Sequence, residues 1–291
     1  MDLCYYPGCT LKTKAKNFED SAIAAMSAID LNMIELPRWN CCGTVYSLAD
    51  DDLVHHIAAV RTLIRVKEQG YSSVVTLCSF CYNTLARANL LMRNDKEKRY
   101  TLNSFMEEEI DFEGEIEVKH LLQILRDTVD EKTIASRVKN PLEDLNVAAY
   151  YGCTLLRPAD VAIDNVEQPE ILQKILSMLG ATVVDFPFAT ECCGSFQVVS
   201  NPDLAAERAY TILNMASRQG ADLLVVSCPL CYYNLGRMQD KIMQIHNDFQ
   251  PVPIVFFTQL MALAFDTGQE SYGFEQNYGN AVDLLKLKGF I

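Results

Sequence analysis

One half of this 291-residue chain repeats the other, and cysteines carry the repeat. "YYPGCTLK" at 5–12 returns as "YYGCTLLR" at 150–157, allowing for one residue inserted or removed. "NCCGTVYS" at 40–47 returns as "ECCGSFQV" at 191–198, and "SSVVTLCSFCYN" at 72–83 as "DLLVVSCPLCYYN" at 222–234. Three matches in one order define a duplication. They divide the chain into a first domain, 1–145, a second, 146–265, and a tail, 266–291. Vicinal cysteines bond poorly to each other, so a CC pair that occurs twice points to thiols held for a third party.

Both halves alternate apolar strands with helical periodicity. "NVAAYYGC" reads as a buried strand, "PEILQKILSMLG" as a helix stopped at Gly180, and "ATVVDFP" as a short strand. Asn201 is the expected N-cap of a helix with Pro202 in its first turn, ending at Gly220. "ADLLVVSC" is a third strand, "PLCYYNLGRMQDKIMQI" a helix, and "PIVFFTQLMALAF" a strand leading into a helix. "SAIAAMSAID", "MIELP", "DDLVHHIAAVRTLIRVKEQG", "SSVVTLC" and "IEVKHLLQILRD" fill these roles in the first half. The fold class that follows is α/β: two repeated Rossmann-like lobes, each a small parallel sheet flanked by helices, with right-handed crossovers. The charged stretch 93–117 reads as a solvated excursion or short helical insert. The tail reads as a segment laid over the surface or a partner.

Each cysteine group follows a strand end. The spacing is C-x31-CC-x35-C-x2-C in the first half and C-x38-CC-x34-C-x2-C in the second. Strand carboxyl ends share one edge of a parallel sheet, so Cys9, Cys41, Cys42, Cys78 and Cys81 converge on one point. Cys153, Cys192, Cys193, Cys228 and Cys231 converge on another. The C-x2-C pairs open helices, whose free N–H groups favour thiolates. Five sulfurs exceed the four that a structural zinc or an ordinary iron–sulfur cube takes. Soft, all-sulfur ligation selects iron–sulfur, zinc or copper(I), and iron–sulfur fits a five-cysteine set best. Zinc and plain thiol chemistry stay open at this stage. Cys4 has no counterpart and reads as a buried thiol.

The net charge is −13, which argues against nucleic acid or an anionic membrane as the main partner. No apolar run reaches the eighteen residues that suggest a spanning helix, and the start lacks the pattern of a signal peptide. Eleven cysteines then suit a reducing, cytoplasmic setting and metal or redox chemistry.

The doubled cysteine spacing resembles the CCG domain family over nearly the whole chain, and most of all the B-type subunits of heterodisulfide reductase. The resemblance implies reduction of the mixed disulfide of coenzyme M and coenzyme B to two thiols, in the setting of methanogenesis. It implies two non-cubane 4Fe–4S centres, one per cysteine quintet and one per substrate sulfur, with zinc at one site as the alternative. No ferredoxin spacing C-x2-C-x2-C-x3-C-P occurs, so electrons would arrive from a partner. The resemblance implies a small ferredoxin-like subunit of the C type and a flavin subunit of the A type, fed by a hydrogenase or formate dehydrogenase. The rival reading is an electron-transfer CCG subunit of a lactate-, glycolate- or succinate-oxidising complex.

The implied substrate is anionic, so basic groups beside the motifs are candidates for holding it: Lys12, Lys14, Lys16, Arg38 and Arg157. Solvated helix starts are the bland alternative. His55 is a candidate proton donor, and it and His56 otherwise read as packing or surface residues. Tyr5, Tyr6, Tyr82, Tyr151, Tyr232 and Tyr233 surround the motifs and read as packing that excludes water.

Overall fold

The computed structural model describes residues 1–44 and 52–291. Val45, Tyr46 and Ser47 of the first CCG match, and Asp51 at the start of the expected helix, lie outside the described residues. The first lobe runs β1 (Asp2–Tyr5), α1 (Lys16–Ala28), β2 (Asn32–Glu35), α2 (Ile57–Glu68), β3 (Ser73–Thr76), α3 (Ser79–Asn94), α4 (Lys96–Phe105), β4 (Glu117–His120), α5 (Leu121–Asp127) and α6 (Glu131–Arg137). The second runs β5 (Asn146–Tyr150), α7 (Ile171–Met178), β6 (Thr182–Val183), α8 (Pro202–Arg218), β7 (Leu223–Val226), α9 (Pro229–Arg237), α10 (Gln239–Ile245), β8 (Ile254–Phe256) and α11 (Phe257–Phe265). Two short helices follow, α12 (Gln269–Tyr272) and α13 (Ala281–Leu287).

Each lobe holds a four-stranded sheet, in the orders β2-β1-β3-β4 and β6-β5-β7-β8. All strand pairings are parallel, as strand–helix alternation predicts. In each order the chain winds one way from the first strand and the other way from the third. The switch between them opens a crevice at the strand carboxyl ends, where α/β folds bind ligands. The loops after β1, β2 and β3, and after β5, β6 and β7, carry the cysteines. All four residues of β7 are buried, which explains its unbroken Leu-Leu-Val-Val sequence.

Local signals behave as their chemistry requires. Asn201 accepts the Leu204 N–H at 3.1 Å, capping α8 with Pro202 in the first turn. Gly180 and Gly220 end their helices at φ +93° and +79°.

The two lobes pack against each other through helices. Helix α1 of the first lobe lies on α11 of the second, and α7 of the second lies on α5 of the first. Phe18 stacks on Phe256 with ring centroids 4.1 Å apart, and the hydroxyls of Ser21 and Thr258 bond at 2.7 Å. Each lobe's first helix thus packs on the helix that follows the other's fourth strand.

Two segments are more deeply anchored than the sequence suggests. The stretch 93–117 contains α4 and buries Leu102 and Phe112, and Asn103 bonds the Phe112 carbonyl at 3.1 Å. It is a knitted insert rather than a solvated excursion. Residues 266–291 bury Tyr272, Phe274 and Leu285. In this segment Asn277 bonds Asn17, Gln259 and the Ile254 carbonyl, so it reaches both lobes.

Candidate metal centre

In each lobe the first cysteine stands on a turn that begins with a tyrosine. Tyr6 donates its hydroxyl to the Asn40 carbonyl, and Tyr150 donates to the Glu191 carbonyl. Asn40 and Glu191 immediately precede the CC pairs, so each phenol ties the first-cysteine turn to the CC turn. Two residues on, Gly8 and Gly152 take φ +72° and +68°. A Cβ there would stand 2.8 Å from Cys81 Sγ in the first lobe and 3.2 Å from Cys231 Sγ in the second. Glycine thus lets the turn approach the C-x2-C sulfur. The CCG glycines, Gly43 and Gly194, are also left-handed, at φ +81° and +80°.

Cys78 and Cys228 are the N-cap residues of α3 and α9, and Cys81 and Cys231 sit in the first turn of each helix. The sulfurs of Cys9 and Cys41 lie 3.6 Å apart, and those of Cys193 and Cys231 lie 3.5 Å apart. Cys42 and Cys81, Cys78 and Cys81, Cys153 and Cys192, and Cys228 and Cys231 influence each other's ionisation. Each quintet has a buried trio, Cys42, Cys78 and Cys81 or Cys193, Cys228 and Cys231. Cys9, Cys41 and Cys192 are exposed, and Cys153 is half-buried. The two groups share a wall, because Cys78 and Cys228 influence each other's ionisation across the seam. Ser79 reinforces that wall by donating to the Ser227 carbonyl at 3.1 Å.

The thiols compete for protons. Cys42 is pulled well below the ordinary thiol range by Cys41 and then Cys81, while Cys41 is pushed up chiefly by Cys42. Cys78 is lowered by Cys228 and Cys81, and Cys81 is raised by Cys42 and Cys78. In the second group Cys192 falls to about 6 through Cys153, and Cys193 falls through Cys231. Cys228 is raised first by burial. Sulfurs this close cannot all ionise unless positive charge sits among them, which a thiolate-ligated metal centre provides. The donor set of each quintet, five thiols with no carboxylate or imidazole, fits an iron–sulfur group. Among the described residues no three His, Cys, Asp or Glu groups form a site for a single metal ion.

The basic candidates are spread out. Lys12 pairs with Glu35 at 2.6 Å and with buried Glu19 at 2.7 Å, and Lys16 pairs with Asp20 at 2.7 Å. Arg157 donates to the Thr190 carbonyl at 3.1 Å, bridging the Cys153 turn to the second CC turn. Arg38 occupies a left-handed position, φ +58°, before the first CC pair. Lys14 lines a cavity of about 190 Å³ at the lobe seam with Thr10, Leu230, Tyr232, Tyr233 and Tyr278. His55 lies in the turn after the first CCG, its carbonyl 3.6 Å from where a Gly43 Cβ would stand.

Sequence reasoning missed several groups around the thiols. Tyr150, and not its neighbour Tyr151, ties the cysteine turns together; Tyr151 bonds Gln173 and the Leu172 N–H instead. Asn234 donates to the Cys193 carbonyl at 2.5 Å, and Asn83 donates across the seam to the carbonyls of Thr154 and Arg157. The shared C-x2-C-Y…N pattern carried that signal. Arg208 pairs with Glu191 and helps to lower Cys192, and nothing in the motif points to it.

Residues 3–86 and 147–236 match the CCG cysteine-rich domain. The chain belongs to the CCG family. It is 31% identical over 98% of its length to the "8-methylmenaquinol:fumarate reductase membrane anchor subunit" of Wolinella succinogenes, covering 99% of that protein. It is 26% identical over 97% of its length to the B subunit of the "Ferredoxin:CoB-CoM heterodisulfide reductase" of Methanosarcina mazei, covering 95% of that protein. A hypothetical protein from Helicobacter pylori shares the fold, with a TM-score of 0.74 at 14% identity. This chain is covered over 94% of its length and spans 52% of that longer one. The family and its relatives support an iron–sulfur oxidoreductase subunit of the heterodisulfide reductase or CCG electron-transfer type, working within a multi-subunit complex. Among the described residues no helix is long and apolar enough to cross a membrane.

Proposed function

We propose that this chain is the disulfide-reducing subunit of a heterodisulfide-reductase-type complex. Cys9, Cys41, Cys42, Cys78 and Cys81 hold one non-cubane 4Fe–4S centre, and Cys153, Cys192, Cys193, Cys228 and Cys231 hold a second. The observation that carries this reading is the contact of the two C-x2-C loops across one seam, where the Ser79 hydroxyl donates to the Ser227 carbonyl at 3.1 Å and Cys78 interacts with Cys228. Five sulfur donors per group favour an iron–sulfur centre over zinc.

Reduction of a mixed disulfide consumes two electrons and two protons and gives two thiols. Bound iron–sulfur groups supply electrons one at a time and a soft metal surface with affinity for sulfur. The chain's own residues prepare the site. Tyr6 and Tyr150 fix the cysteine turns, and the buried trios keep water from the shared wall. The exposed cysteines give each group a solvent-facing edge for a substrate such as the coenzyme M–coenzyme B disulfide. Lys14 at the seam cavity is placed to attract an anionic substrate, with Arg38, Arg157, Lys12 and Lys16 as outer charges. His55 is a proton donor beside the first group. Electrons come from a small ferredoxin-like subunit of the C type and a flavin subunit of the A type, with a hydrogenase or formate dehydrogenase upstream, in the cytoplasm.

A second reading is favoured by the full-length relative from Wolinella succinogenes. In it the chain relays electrons within a quinol- or dicarboxylate-linked complex. Anaerobic purification separates the two. Both expect about eight irons per chain from two four-iron centres. The first also expects viologen-driven reduction of the heterodisulfide, lost in Cys41→Ala and in Cys192→Ala. An iron-loaded chain that leaves the disulfide untouched, yet passes electrons to or from succinate or fumarate with its partners, makes the second reading correct.

A further inference from the structure

The two lobes differ at one buried position that faces their seam. His120 ends β4 in register with Thr76, and Phe256 ends β8 in register with Val226. Both residues start a helix, and in both a glutamine three residues on accepts their backbone N–H. Gln123 does so for His120 at 2.9 Å and Gln259 for Phe256 at 3.0 Å. The backbone device is duplicated, but the side chain is not. The Phe256 ring stacks on Phe18. The His120 ring, fully buried, turns towards the cysteine loops.

Its tautomer follows from its partners. Nδ1 accepts the Leu122 N–H at 3.3 Å, which leaves the ring hydrogen on Nε2. Nε2–H donates to the Leu77 carbonyl at 2.8 Å, and the Ser227 backbone is close enough to the ring to bear on its ionisation. Leu77 immediately precedes Cys78, and Ser227 immediately precedes Cys228. One imidazole therefore faces both C-x2-C loops, one from each lobe. Ser79 donates to the Ser227 carbonyl, whereas the matching residue of the second lobe, Pro229, has no hydroxyl to offer.

We propose that His120 is a positioning residue that fixes the separation of the two cysteine groups, its buried ring binding the carbonyl before Cys78 and packing against the carbonyl before Cys228, which Ser79 also holds. A phenyl ring, as at Phe256, fills similar space and gives the Leu77 carbonyl no partner. The consequence for paired centres rests on the reading that both quintets hold iron–sulfur groups. The geometric claim does not.

The test uses the full chain in two forms. In metal-free C81S/C231S protein, diamide oxidises Cys78 and Cys228 to a disulfide. Two thiol hydrogens and two electrons pass to the diamide N=N bond, and peptide mapping gives the rate. H120F should slow this link about tenfold, the factor that one ordinary hydrogen bond carries. H120Q, which keeps a side-chain N–H, should stay near the parent rate. H120A should be slowed and recover when imidazole is added, so the question survives if H120F does not fold. In iron-loaded protein without the two Ser changes, the magnetic interaction between reduced centres should weaken in H120F and persist in H120Q. Unchanged cross-linking in H120F and H120A overturns the proposal whether or not iron is bound. Absence of iron from the unmutated protein overturns the two-centre reading alone.

Discussion

Tyr6 donates its phenol to the Asn40 carbonyl at 2.8 Å, and Tyr150 repeats the bond to Glu191 at 2.6 Å. Two copies of one bond, each fastening a CC turn to a first-cysteine turn, make the phenols part of the site's frame. Burial and the neighbouring thiols push both hydroxyls well above the ordinary phenol range, so they stay protonated as donors. Tyr6→Phe and Tyr150→Phe should each cost about 1 kcal/mol, because a part-buried hydrogen bond is lost. Chemical denaturation of the metal-free protein measures this. Iron should also be lost faster to a chelator, and only from the lobe that carries the change. Loss from both lobes alike would mean that the tyrosines act through global stability instead.

Gly8 and Gly152 occupy matching turns with unequal clearance. A methyl at Gly8 would stand 2.8 Å from Cys81 Sγ, against 3.2 Å between Gly152 and Cys231 Sγ. Both substitutions carry the left-handed backbone cost of about 1 kcal/mol. Gly8→Ala should therefore displace the Cys81 sulfur and, if the proposed centre is bound there, lower iron in the first lobe more than Gly152→Ala does in the second. Iron and acid-labile sulfide per chain decide it, and equal losses would show that backbone strain alone sets the effect.

The lobe seam depends on Phe18, fully buried and stacked on Phe256. Phe18→Ala should cost about 3–5 kcal/mol, the range for truncating a buried aromatic. Since α1 covers α11 of the other lobe, both lobes should still unfold together and the midpoint should fall in one step. Two separate transitions in urea would show lobes that fold independently of the seam.

Much of this arrangement was legible in the sequence because it is local. Strands and helices announce themselves by periodicity, Asn201 by its capping chemistry, and the ten cysteines by their repeated spacing. The reciprocal packing of α1 on α11 was not legible, since Phe18 and Phe256 lie far apart in the chain and neither carries a motif. Lys12 looked like a free cation beside Cys9. Its partners Glu19 and Glu35 come from a helix and a strand that only the fold brings together. The stretch 93–117 read as a solvated excursion or short helical insert because charge dominates it; α4 bears out the insert, and the apolar residues Leu102, Met106, Phe112 and Ile116 anchor it. His120 escaped notice because a single histidine at a strand end resembles any satisfied core residue until the two loops it faces are known.

His120 also sets a pH dependence. Burial lowers its pKa to about 4, the largest influence on it, against an ordinary value of about 6.5 in the unfolded chain. Between those values the unfolded chain binds the proton and the folded chain does not. The stability associated with neutral His120 is therefore complete above about pH 6.5 and declines as the pH falls towards 4. The slope is about 1.4 kcal/mol per pH unit, about 3 kcal/mol over the window. Carboxylates titrate over the lower part of the same range, so the difference between unmutated and H120Q protein is the informative quantity. Urea unfolding of both metal-free proteins at pH 7, 6, 5 and 4 should give curves that converge as the pH drops, because His120→Gln has no imidazole to protonate. Parallel curves would mean that the His120 ring charges freely in the folded protein and does not stay neutral in its bond to the Leu77 carbonyl.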